Sequence, residues 1–206
     1  MSEAHGPLIV DTNLTAFFNQ LVTRAMARQQ VAATEEVAQY LVRLLAEFAR
    51  PESLYDRTPD GLTLKPLAAL YADALAAESG DERNASLKRL GDVALFISGV
   101  FPDTLNRSLV DVDYYIAMGG NAYGSLSEAG SGRFRLLNAL FAELAARFTA
   151  LVDVLGEVSE RAHFTDNRDI MRLYERFLRT GSVRVAQQLR ALGIEPSLSA
   201  TSTSRH

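Results

Sequence analysis

Between Val93 and Phe101 the chain reads VALFISGVF, with Asp92 before it and Pro102 after it. A helix that is apolar on every face has to be surrounded by other elements, so this run belongs at the centre of a packed structure. It is too short to span a bilayer, which takes ~20 apolar residues. The remainder of the chain must supply the surroundings.

Those surroundings read as helices. Leu14, Phe17, Phe18, Leu21, Val22, Ala25 and Met26 recur at helical spacing and predict a first helix over 13–31. Thr34 is a suitable N-cap for a second, with Glu35 and Glu36 where the helix dipole favours acids and Pro51 as its stop. The proline- and Asp-Gly-containing stretch 51–63 reads as a loop. A third helix is predicted over 64–78 and a fourth over 83–100. Pro102 suits the first position of a fifth, which the Gly119-Gly120 pair is expected to end near Met118. After a glycine-rich loop or short turn of helix over 119–132, a long sixth helix covers 133–155, and two shorter ones cover 168–179 and 183–192.

No alternating run bounded by turns points to a strand. The expected architecture is therefore all-α: a single-domain antiparallel bundle of six to eight helices without a sheet. It would occupy 13–192, preceded by a flexible arm over 1–12 and followed by a disordered tail over 193–206. Residues 168–192 would be a helical hairpin that could stand as an appendage.

Composition narrows the function classes. The 206 residues are 48% hydrophobic and 22% charged, in the globular range. There is no cysteine, which excludes disulfides and thiolate chemistry and fits a reducing cytoplasm. The first residues lack the basic-then-apolar pattern of a secretory signal, so a cytoplasmic protein is expected. An Ala/Leu/Arg-rich style with only Lys65 and Lys88 as lysines suggests a bacterial source. Charge is unevenly spread: residues 161–206 hold eight arginines and four acids, whereas 1–160 hold thirteen basic and twenty-one acidic residues. A basic end on an acidic body favours contact with an acidic surface, including that of a second copy.

Several constellations carry chemistry on paper. On a continuous fifth helix, Asn106, Val110, Asp113 and Ala117 share a strip beside the core, with Asp113 nearest the apolar centre. Asp92 is the one ionisable group among the later turns of the fourth helix. If these two helices form a hairpin, Asp92, Asp113, Tyr114, Tyr115, Asn121 and Tyr123 could converge on a polar pocket for a small ligand or for acid–base work. The other reading is that Asp113 accepts hydrogen bonds from a helix end or a tyrosine hydroxyl and simply fixes helix register. Asp103, Arg107 and Asp111 read as a solvated ion-pair ladder. Gly119, Gly120, Gly124, Gly130 and Gly132 before Arg133 lack the strand and spacing of a phosphate-binding loop.

In the last two helices, Arg168, Arg172, Arg176 and Arg179 form a stripe opposite Ile170, Leu173, Tyr174 and Phe177. Arg184, Gln187, Gln188 and Arg190 face outward beyond a Gly-containing turn. In outline this pair resembles a helix-turn-helix reader, although an acidic chain weakens a nucleic-acid reading. A docking face for an acidic protein is favoured. Histidines are limited to His5, His163 and His206, and no HExxH, zinc-ligand or nucleophile-elbow pattern exists, so no metal, cofactor or catalytic set is assigned. The leading expectation is a non-enzymatic adaptor, regulator or assembly factor that works through protein contacts or self-association. A small-molecule sensor or metal-independent enzyme with a pocket over 83–118 is the first alternative, and nucleic-acid binding through 168–192 the second.

Overall fold

The computed structural model describes residues 7–58, 61–105, 111–129, 133–162, 177 and 182–191. The fold is all-α. Among the described residues the helices are α1 (Pro7–Arg28), α2 (Glu35–Phe48), α3 (Pro51–Leu54), α4 (Leu67–Ala76), α5 (Gly80–Val100), α6 (Pro102–Leu105), α7 (Val112–Ser127), α8 (Asn138–Ala146), α9 (Phe148–Ala162) and α10 (Val183–Ala191). A 3-10 turn over Arg133–Leu137 leads into α8. The chain divides into two compact units, one formed by 1–47 with 66–162 and the other by 48–65 with 163–206.

The larger unit is organised around α5. Every residue from Leu90 to Val100 is buried, as the unbroken apolar run requires. Helix α7 packs on it antiparallel: the ring of Tyr123 lies over Gly91, and Gly119 lies against Ala94. Helix α9 covers another side, with Leu155 against Gly99 and the Ser159 hydroxyl donating to the Val100 carbonyl over 3.1 Å. Among the described residues no helix is long and apolar enough to cross a membrane.

Caps set several boundaries. The Ser79 hydroxyl accepts from the Glu82 N–H over 3.2 Å to open α5, with Asp81 and Glu82 in the first turn. The predicted fifth helix is corrected at both ends. The helix opened by Pro102 lasts only four residues, and α7 starts afresh where the Asp111 carboxylate accepts from the Tyr114 N–H over 3.0 Å. Asp111 is thus a cap rather than the last rung of a ladder, and Arg107 and Asn106 lie outside the described residues.

Gly119-Gly120 does not stop the helix. It lies inside α7, which continues to Ser127 through much of the expected loop. Gly119 is buried against Phe148 and Ala94, so the missing side chain serves close packing instead of a turn. The predicted sixth helix is broken at Arg147 into α8 and α9, with no glycine or proline to mark the break. The first helix begins at Pro7, earlier than the arm over 1–12 allowed; Pro is at home in a first helical turn. Residues 1–6 and the tail 193–206 lie outside the described residues.

In the smaller unit, the predicted loop 51–63 contains α3 and a minimal β-ribbon. Asp56–Thr58 pairs antiparallel with Gly61–Thr63, Arg57 opposite Leu62. This ribbon is the sheet among the described residues and adds no layer to the helical fold. Leu54, Phe177, Val185 and Ala186 are buried.

Candidate functional site

The Asp92 side chain is 4% exposed, at the middle of α5. One of its oxygens accepts from the Tyr40 hydroxyl of α2 at 2.5 Å and from the Tyr123 hydroxyl of α7 at 2.7 Å. The other accepts from Lys88 Nζ, one turn back on α5, at 2.5 Å. A buried carboxylate is tolerable only with such partners. Burial, with the Asp92 charge alongside, pushes both tyrosine hydroxyls well above the ordinary phenol value. Lys88 also sits 5.3 Å from the centroid of the Tyr40 ring. Rings seal the cluster: Tyr40 and Tyr123 meet edge-on at 6.1 Å, and Phe141 lies 5.7 Å and Phe148 5.8 Å from Tyr123.

Of the six positions expected to converge, this cluster joins Asp92 and Tyr123. Asp113 and Asn121 are exposed, and Tyr114 and Tyr115 pack on each other at 5.9 Å, half-buried. Burial, with Tyr114 beside it, raises the Tyr115 hydroxyl. Asp113 was expected nearest the apolar centre; it is instead in the first turn of α7, on its solvent side. The antiparallel register explains the separation. Asp92 faces Tyr123, and Asp113 lies ten residues back along α7, about 15 Å at 1.5 Å per residue.

Sequence reading missed Tyr40 and Lys88. Lys88 had a local signal, four residues before Asp92 on one helix. Tyr40 had none, because its partner is fifty-two positions away.

A second feature is an open cleft of about 460 Å³ at the C-terminal end of α5. Ser98, Gly99, Pro102, Val112, Val152 and Gly156 form part of its wall, and Arg28, Asp153, Glu157, Glu160 and Arg161 bring both signs of charge to it. Glu157 is a hub: it accepts from Gln29 Nε2 at 3.0 Å, from Arg28 at 3.1 Å and from Arg161 at 3.1 Å. The Gln29 bond, then Arg28, lowers its carboxyl below the usual range. Across the same α1–α2 turn, Glu143 of α8 accepts from the Thr34 hydroxyl at 2.7 Å and the Thr34 N–H at 3.1 Å. Chiefly the hydroxyl bond, then the backbone bond and Arg147, holds the Glu143 carboxyl low.

On α10, Arg184, Gln187 and Gln188 are exposed, as expected, and Arg190 belongs to the same helix. Arg168, Arg172, Arg176 and Arg179 lie outside the described residues, as do the three histidines. Among the described residues no group of acids or histidines is placed to hold a metal ion.

Among the described residues Phe17, Leu136, Leu137 and Val183 are exposed apolar side chains, and α4 adds a cluster of its own. Helix α4 buries only Leu67, Leu70 and Ala74, yet Asp73 is its one charged residue. Ala68, Tyr71, Ala72, Leu75 and Ala76 face outward, with Tyr71 45% and Leu75 67% exposed. Comparison of the chain with protein families, curated proteins and solved structures found no match.

Proposed function

We propose that this chain is a cytoplasmic helical protein that acts through protein–protein contacts, as an adaptor, regulator or assembly factor. The observation that carries the reading is the outward face of α4. A helix that is apolar on nearly all sides is expected to be enclosed, and this one leaves Tyr71 and Leu75 open to water. Clustered exposed apolar side chains mark interaction sites. The Asp92 cluster favours the same reading because its carboxylate is spoken for by three donors, and Asp92 and Tyr123 are both buried. It is suited to holding α2, α5 and α7 in register, not to meeting a substrate.

The test is capture of the tagged full chain from its native cells, wild type against Leu75→Glu. Proteins retained by the wild type and lost from the variant, the chain itself included, support the reading. Identical sets reject it.

A second reading is small-molecule binding in the cleft beside Ser98 and Gly99. Its volume falls within the range of ligand sites, and its wall offers both carboxylates and guanidinium groups. Thermal-shift screening against charged metabolites tests it; no ligand whose effect Glu157→Gln alters would dispose of it.

A further inference from the structure

We propose that the exposed face of α4 pairs with the same face of a second copy of this chain, the two helices running antiparallel about a two-fold axis between Tyr71 and Ala72. This rests on the protein-contact reading above and names its partner.

The spacing of the face leads there first. Ala68, Tyr71, Ala72 and Leu75 stand at i, i+3, i+4 and i+7, the positions that form one seam of a helix. All four are exposed, and Asp73, the one charge on α4, falls outside the seam.

Size decides the orientation. In an antiparallel pair centred between residues 71 and 72, Leu75 of one copy meets Ala68 of the other, and Tyr71 meets Ala72. Each large side chain then lies opposite a small one, which is how facing helix surfaces interdigitate without voids or crowding. The alanines let the axes come to the near end of the usual 8–10 Å separation. A parallel pair in register would set Leu75 against Leu75 and Ala68 against Ala68, wide at one end and empty at the other. An isologous arrangement also closes after two copies, so it gives a dimer and not a filament.

Charge points the same way. Helix α4 has Pro66 at its N-cap, makes no side-chain cap bond and has no acid in its first turn, so the positive end of its dipole carries no carboxylate of its own helix. Just past its C-terminal end is the exposed Glu78. The antiparallel arrangement brings Glu78 of each copy to the N-terminal end of α4 in the other.

The purified full chain is measured by light scattering and sedimentation over a range of concentrations. The mass is expected to rise from the 22.6 kDa of one chain toward twice that value. Leu75→Glu is expected to hold it at one chain with an unchanged circular dichroism spectrum, since the side chain is on the surface. The register is read by a swap. Leu75→Ala and Ala68→Leu each weaken association by about tenfold or more, while the two together restore it, because the large side chain has only changed sides of the same contact. The chain has no cysteine, so Ala72→Cys gives a clean cross-link: oxidation yields a covalent dimer, and Ala139→Cys, at an exposed position of α8, does not. A mass of one chain at every concentration overturns the proposal, as does a dimer that Leu75→Glu leaves intact or a swap that fails to restore. Capture of a different protein that Leu75→Glu loses would then leave the protein-contact reading standing without self-pairing.

Discussion

The Tyr123 hydroxyl of α7 donates to Asp92 of α5 over 2.7 Å, while the ring of the same tyrosine lies across Gly91, one residue before its acceptor. The glycine makes room for the ring, and the ring delivers the hydroxyl. With Tyr40 and Lys88, three elements of the larger unit converge on one carboxylate. Removing the acceptor should therefore cost more than removing any donor. Asp92→Ala leaves the buried Tyr123 hydroxyl and the part-buried Tyr40 hydroxyl without their acceptor, at about 1–3 kcal/mol each, while the part-exposed Lys88 ammonium can turn to water. Tyr123→Phe removes one bond to a charged group and should cost about 1.5–3 kcal/mol. Urea denaturation of both variants checks the order, and the reverse order would remove Asp92 from the centre of the cluster.

The same cluster predicts an alkaline limit. Burial and the Asp92 charge raise the Tyr40 and Tyr123 hydroxyls above the ordinary value of 10.0 in the folded chain. Above that value the unfolded chain releases protons that the folded chain keeps, so stability present below pH 10 falls as pH rises. Two such groups set a slope of at most roughly 2.7 kcal/mol per pH unit. Ultraviolet titration should find two of the seven tyrosines ionising only together with loss of the helical signal. The Tyr40→Phe, Tyr123→Phe double variant, weaker at neutral pH, should have a flatter alkaline profile. All seven tyrosines titrating ahead of unfolding would contradict this.

Much of the fold was legible because hydrophobic period is local. The run Val93–Phe101 announced a surrounded helix, and Leu90–Val100 is buried without a gap. Thr34 and Pro51 marked boundaries within a few residues. What misled was punctuation whose meaning depends on distant neighbours. Gly119 reads as a stop until Phe148, twenty-nine positions on, is known to lie against it. Asp111 reads as a rung on a helix until the helix is seen to begin after it.

The site followed the same rule. Asp92 and Tyr123 could be paired once a hairpin of the two helices was assumed. Asp113 could not be placed, because its face depends on where α7 starts. The α4 face was missed because Leu64, Leu67, Tyr71 and Leu75 recur at helical spacing over 64–78 and read as one inward stripe. Burial instead selected Leu67, Leu70 and Ala74, and left Tyr71 and Leu75 outside.

The Thr34–Glu143 contact makes a prediction in acid. Thr34 caps α2, and Glu143 of α8 binds both its hydroxyl and its N–H. This is the reciprocal logic of a capping box, with the acid supplied by another helix. The Glu143 carboxyl is held below its reference value of 4.5, so the stabilisation is present above that pH and fades as pH falls through the lowered value. Thr34→Ala should cost about 1 kcal/mol at pH 7. Its cost should shrink as pH falls through the lowered Glu143 value, where the wild type weakens its own hydroxyl bond to the carboxylate. A Thr34→Ala penalty independent of pH down to the acid transition would separate the cap from Glu143.

Two glycines in one helix should respond oppositely to the same substitution. Alanine in a helix interior is worth about 0.8–1.0 kcal/mol over glycine when nothing else changes. At Gly124 a Cβ would meet nothing within 4 Å, so Gly124→Ala should stabilise by that order. At Gly119 a Cβ would enter the Phe148 ring and come within 2.8 Å of the Ala94 side chain. Neither neighbour yields readily: Phe148 is held among Tyr123 and the core of α9, and Ala94 is fixed to the backbone of α5. Overpacking of this kind costs about 1–3 kcal/mol, enough to reverse the propensity gain. Thermal melts of Gly119→Ala, Gly124→Ala and the wild type should therefore bracket the wild type from below and above. Equal shifts in the two variants would mean that α7 does not approach α5 and α9 through Gly119, and the central packing of the larger unit would have to be redrawn.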